Sequence, residues 1–182
     1  MSQQIQDAKC IACTKTARER AVFSTLCSLS CSLLFVSLVT SQVIAADFSG
    51  RVVGIIDGDT LEVLHHQRAE RIRLNGIDCP EKAQTYGTRA KLAVADLAFG
   101  KEVTVKTHGL DKYKRTLADL FLPDGTNVNY TLVKEGWCWW YRKYAPGDTV
   151  LERLEKNARE ARKGLWANPQ PVPPWEWRKR RK

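Results

Sequence analysis

From Phe48 onward, apolar and polar residues alternate in short runs broken by turn residues. The runs over 51–56, 60–64 and 70–74 read as three strands of a meander, because a period of two sends successive side chains to opposite faces. Asp57-Gly58 and the polar stretch 65–69 supply the turns between them. Gly54, inside the first run, predicts a bulge or sharp bend of the kind small barrels need. The spacing then changes: Ala90, Ala93, Val94 and Leu97 recur at helical intervals over 86–99, and Gly100 stands where a left-handed cap belongs.

Two more strands are expected over 102–108 and 115–122, followed by a Pro123-Asp124-Gly125 turn, a short helix over 129–135 closed by Gly136, and a brief extended segment over 137–141. The final helix carries the clearest signals, with Thr149-Val150-Leu151-Glu152 as a capping box. Leu151, Leu154, Ala158, Ala161 and Leu165 form its apolar stripe, and the pairs Glu152/Lys156 and Glu155/Arg159 lie on its wet face, with Gly164 ending it. Five short strands, interspersed helices and no βαβ repeat predict an α+β fold: a five-stranded OB-type barrel with three helices packed on it.

With 182 residues, 43% hydrophobic and 27% charged, the chain suits one folded domain and excludes a mainly disordered or polytopic membrane protein. Lys9, Lys15, Arg18 and Arg20 precede an apolar stretch over 21–46 that ends in Val43-Ile44-Ala45, so residues 1–45 read as a signal peptide cleaved after Ala45 or Ala46. An uncleaved anchor is the alternative, since about 20 apolar residues span a bilayer. Either way residues 46–167 form the folded domain of an exported protein, secreted or periplasmic, that meets a membrane only if the leader stays attached.

Residues 168–182 form a Pro- and Trp-rich basic tail, which Trp175 and Trp177 would pin to the barrel. Five of the cations behind the net charge of +9 lie in 178–182 and should add non-specific, salt-sensitive affinity for phosphate backbones. The body is nearly balanced, so nucleic-acid binding is not read from net charge. Of six cysteines, Cys10, Cys13, Cys27 and Cys31 fall in the leader. Cys79 and Cys138 remain, either bridged across about 60 residues, worth about 4 kcal/mol by chain entropy, or as two separate buried thiols.

Asp57-Gly58-Asp59-Thr60 and Gly76-Ile77-Asp78-Cys79-Pro80-Glu81 put carboxylates at strand ends. Oxygen donors of that kind suit a hard cation. Arg73, five residues before Asp78, and Arg115, after Asp111-Lys112-Tyr113-Lys114, carry guanidinium forks suited to gripping a phosphate. His65, His66 and His108 fit no catalytic arrangement. The sequence shows no Ser/His/Asp triad, zinc spacing or P-loop, which argues against a serine hydrolase, a zinc nuclease and a nucleotide-driven enzyme.

Ile56-Asp57-Gly58-Asp59-Thr60, the run from Arg73 to Glu81, the run from Asp111 to Arg115, and Gly164-Leu165-Trp166 occur in this order. Together, across about residues 48–166, they resemble the staphylococcal nuclease (thermonuclease) family. The resemblance implies an OB barrel with three helices and calcium-dependent cleavage of DNA and RNA to 3′-phosphate products, with one Ca²⁺ per chain. It implies Asp59, Asp78 and the Cys79 carbonyl as metal ligands and Glu81 as the residue that holds or deprotonates the attacking water. Arg73 would bind the scissile phosphate, and Arg115 would stabilise the developing charge.

Lys112 and Tyr113 match positions that contact substrate phosphate. Arg142 and Tyr144, beside the aromatic run 137–141, are read as the accessible pair for substrate contact. The family loop often has Gly where Lys114 stands, and its archetype has Thr where Cys79 stands. In the family the segment matching 136–140 runs beside the one matching 77–79, which brings Cys79 and Cys138 within bonding range. A monomer with no protein partner is expected. The competing reading is a non-catalytic OB module that binds nucleic acid or protein; such modules generally lose the acidic and arginine residues kept here.

Overall fold

The computed structural model describes residues 46–181, so the leader over 1–45 lies outside the described residues. Strands β1 (Phe48–Asp57), β2 (Thr60–His65) and β3 (Arg68–Leu74) form the expected meander. Strands β5 (Glu102–Leu110) and β6 (Thr116–Phe121) pair antiparallel, and β5 returns to β1. A parallel join of β3 to β6 closes the barrel in the order β1-β2-β3-β6-β5. The remaining pair, β4 (Ile77–Asp78) and β7 (Trp139–Trp140), makes a separate two-stranded sheet.

The barrel follows from the alternation. Val52, Leu61, Val63, Ile72, Val105 and Leu120 point inward and are essentially solvent-free, each burial contributing roughly 1.5–3 kcal/mol. The register of β1 against β2 slips between Val52 and Gly54, the bulge that the glycine predicted. The β2–β3 connection is tighter than the polar stretch suggested. His66 and Gln67 alone make it, both at positive φ (45° and 63°), as a two-residue hairpin turn requires.

Four α-helices occur among the described residues, one more than expected. Helix α1 (Gly87–Ala98) buries Ala90, Val94 and Ala98, small residues that let it lie close to β1. Helix α2 (Val128–Lys134) is capped by Asn127, whose side-chain oxygen accepts the Tyr130 N–H at 3.0 Å. Behind it, the buried Asn129 donates to the Asn75 and Ala118 carbonyls and accepts the Leu120 N–H, tying β6 to the loop that leads into β4.

Helix α3 (Thr149–Glu160) departs from its sequence reading in three respects. Its cap is Asp148, not Thr149: one Asp148 oxygen accepts the Val150 and Leu151 N–H groups at 3.0 and 2.9 Å, and a carboxylate at that point also meets the positive end of the helix. It ends at Glu160, so Leu165 packs from a separate 3₁₀ turn (Gly164–Ala167). Glu155 is buried, because β7 covers it: Glu155 accepts from the Trp140 backbone N–H at 3.3 Å and pairs with Arg142 and Arg159. The fourth helix, α4 (Pro174–Arg180), forms in the tail with Pro174 in its first turn, where a missing N–H costs nothing.

Candidate active site

Asp59 precedes β2 and Arg73 lies at the end of β3, where its neighbour across the ladder is Thr60. That register places the Arg73 guanidinium between two carboxylates: Nη1 lies 3.1 Å from Asp59 Oδ2, and Nη2 donates to Asp78 Oδ1 at 3.0 Å. Asp59 Oδ2 also accepts the Cys79 N–H at 2.9 Å, which draws β4 onto the barrel rim. Cys79 is joined to Cys138 by a disulfide, with Cα atoms 4.2 Å apart. Gly58 fits beneath this bridge because it has no side chain; a Cβ there would stand 2.9 Å from both the Cys79 and the Ala90 Cβ.

Asp59, Arg73, Asp78 and Cys79 wall a cleft of about 800 Å³ that also takes in Asp57, Glu81, Arg115, Tyr113 and Tyr144. Asp78 is 1% exposed, and burial raises its carboxyl above the ordinary value although Arg178 and Arg73 pull the other way. Asp57 is also raised, first by burial and then by the charges of Asp59 and Glu81. Five acidic groups, Asp111 among them, thus share one cleft. Among the described residues no three His, Cys, Asp or Glu side chains gather into a complete metal cage. Asp59 and Asp78, both within reach of Arg73, form a close carboxylate pair that could hold a hard cation with carbonyls and water completing its shell.

Arg115 is aimed by its own loop. Asp111 Oδ1 accepts the Tyr113 and Arg115 N–H groups at 2.8 and 2.9 Å, while Oδ2 holds the Arg115 side chain at 2.7 Å from Nε and 2.6 Å from Nη2. Arg115 Nη1 reaches Thr60 Oγ1 at 3.4 Å, and that hydroxyl in turn donates to Asp59 Oδ1 at 3.0 Å. Lys114 adopts φ 62° to let the chain turn back, a conformation that suits glycine and that few other residues take up readily. Burial would raise the Asp111 carboxyl, but the Arg115 backbone and side-chain hydrogen bonds outweigh it and hold the group below the ordinary 3.8.

The stabilisation from Asp111 is therefore full above pH 3.8 and is lost as pH falls through its lowered folded-state value. Replacement Asp111→Asn is expected to loosen the Arg115 side chain and to destabilise the fold near neutral pH. Melting curves of the two proteins should differ near neutral pH and converge as the solution is acidified below that value.

Of the expected substrate contacts, Lys112, Tyr113 and Tyr144 line the cleft. Lys112 Nζ and the Arg115 guanidinium both lie over the exposed Tyr113 ring, at 4.9 and 5.4 Å. Arg142 is not brought there: it sits 4.3 Å over the Trp140 ring and bonds the buried Glu155 at 3.1 Å, and Lys143 takes the place at the cleft wall. Sequence reasoning missed Arg178, which enters the cleft from α4 and bridges Asp78 and Glu81. Its only sequence signal is a place on the same helical face as Trp175, one turn earlier. A guanidinium bridging those two carboxylates is itself a cationic stand-in, so the residues present fit a positive ion.

A family model for staphylococcal nuclease homologues matches residues 71–168. An uncharacterized endonuclease of Escherichia coli is 46% identical over 139 residues, 76% of this chain and 90% of its own length. A micrococcal nuclease of Shigella flexneri is 43% identical over 165 residues, 86% of this chain and 95% of its own. The chain belongs to the staphylococcal nuclease family. As a member of it, this protein is a nuclease of the micrococcal type, built on the mixed five-stranded barrel described above. The segment matched by the family model carries Arg73, Asp78, Glu81 and Arg115; Asp59 precedes it and Arg178 follows it.

Proposed function

We propose that this nuclease hydrolyses phosphodiester bonds of DNA and RNA with one calcium ion per chain, leaving 3′-phosphate products. The observation that carries the reading is Arg73 lying between Asp59 and Asp78 in the cleft that also holds Glu81 and Arg115. Asp59, Asp78 and the main-chain carbonyl of Cys79 would hold the cation, which when bound supplies Lewis-acid polarisation of a phosphate oxygen.

The chain's own residues account for the other requirements. Glu81, 36% exposed along its side chain, orients a water and takes its proton as the water oxygen bonds to phosphorus. Arg73 and Arg115 grip the non-bridging oxygens and offset the charge that grows as the bond from phosphorus to the 5′-oxygen breaks. Lys112, Tyr113, Tyr144 and Lys143 flank the cleft where flanking nucleotides would lie.

The protein acts outside the cytoplasm, secreted or periplasmic, as a monomer with nucleic acid as its partner and residues 1–45 as its export signal. The Cys79–Cys138 disulfide supports an oxidising compartment. Among the described residues no helix is long and apolar enough to cross a membrane. The test is digestion of single-stranded DNA and RNA by the purified protein with calcium or with chelator, followed by phosphatase treatment to reveal 3′-phosphates. Calcium-dependent cleavage with such ends is expected. Tight binding without cleavage across several divalent metals would leave an OB-type binding module instead.

A further inference from the structure

Helix α4 is fixed at its start. Pro174 is buried, the Trp175 ring stacks on Tyr141 with centroids 5.1 Å apart, and it meets Trp139 edge-on at 5.6 Å. Just before the helix, Gln84 donates to the Val172 carbonyl at 2.6 Å. Three residues after Trp175, on the same helical face, Arg178 turns into the cleft. Its Nη2 donates to Asp78 Oδ2 at 2.6 Å, and its Nη1 donates to Glu81 Oε1 at 2.7 Å and to Asp78 Oδ1 at 3.3 Å.

Arg73 Nη2 also bonds Asp78 Oδ1, so both oxygens of the buried carboxylate are taken by guanidinium N–H groups. A calcium ion needs those oxygens at about 2.3–2.6 Å. Arginine keeps its proton in proteins, so it cannot surrender the site by becoming neutral. It has to move.

We infer that Arg178 is a further functional residue of this active site: an exchangeable counter-ion that holds Asp78 and Glu81 in the metal-free enzyme and is displaced when the divalent cation binds. The inference rests on the metal site proposed above. Arg178 is suited to the exchange because its side chain is 41% exposed and borders the open cleft, whereas the anchors of α4 lie earlier, at Pro174 and Trp175. The guanidinium swings away while the helix stays docked. In the metal-free protein it is the cation that touches both Asp78 and Glu81, in a cleft whose lining also carries Asp57, Asp59, Arg73 and Arg115. The consequence is a lowered apparent affinity, since calcium binds only the fraction of molecules in which Arg178 is out.

Calorimetric titration of metal-free protein with calcium tests this, using the whole mature enzyme and three variants. R178Q is expected to bind calcium about tenfold more tightly or better. R178K keeps the charge but lacks the planar fork that spans two carboxylates; it should bind several-fold more tightly than wild type. R180Q removes a cation from the same helix, one that lies 3.9 Å from Glu176, and should stay within about twofold of wild type.

Equal affinities for wild type and R178Q overturn the inference and leave the metal site standing. An R178K affinity equal to wild type also overturns it, by reducing the R178Q gain to loss of net charge. No calcium binding by any of the proteins overturns the metal site and the inference together. Far-ultraviolet circular dichroism of each variant establishes that it is folded before titration.

Discussion

Arg73→Ala is expected to lower the rate of cleavage about 10³-fold while the protein stays folded. Loss of a single donor that stabilises transition-state charge in a water-poor site costs about 10²–10³, and Arg73 has a second task. Its two terminal nitrogens hold Asp59 and Asp78 at 3.1 and 3.0 Å, so its removal also frees two carboxylates from their fixed separation. Arg73→Lys restores charge at one point only and cannot bridge both acids, so it should recover little. Steady-state rates on single-stranded DNA, with circular dichroism as the check on folding, decide the matter. A folded Arg73→Ala protein within tenfold of wild type would sink the assignment.

Reducing the disulfide is expected to have the largest effect on stability. The bridge spans a sequence separation of 59 residues, and chain entropy alone gives about 4 kcal/mol for a loop of that size. For a domain of this size that is a fall in Tm of roughly 10–20 °C. The bond joins β4, which carries Asp78, to the segment that runs into β7, and these are the two short strands outside the barrel. Reduction should therefore loosen the strand that carries Asp78 before the barrel melts, and activity should fade below the melting temperature. Thermal scans of oxidised, reduced and Cys79→Ser/Cys138→Ser protein measure it; melting within 2 °C of wild type, about half of one kcal/mol by the same scaling, would refute it.

The barrel was legible from alternation because inward positions such as Leu61, Val63 and Ile72 need no information beyond their own strand. Glu155 was not. Its spacing to Arg159 is that of a solvated pair, and the backbone N–H that buries it comes from Trp140, 15 residues away. The same holds for the cleft. Asp59, Arg73, Asp78, Glu81 and Arg115 stand in the motifs that carry the family resemblance, and the chain brings all five to one place. Arg142 is exposed, as its place after an aromatic run suggests, yet the buried charge of Glu155 holds it outside the cleft lining. Arg178 was hidden by its neighbours, since one member of a cationic run looks like the rest until Trp175 fixes the helical phase.

The bridge between Arg178 and Asp78 joins residues 100 positions apart, while the last barrel strand ends at Phe121. Synthesis delivers the chain from its N-terminus, so every strand of the barrel is available before α4 leaves the ribosome. Contacts of such long range also form late in refolding, because their loop must close before they contribute. The ladders of the barrel are thus complete without the segment that fills its cleft. Without α4, Arg73 is the guanidinium left on the Asp78 carboxylate.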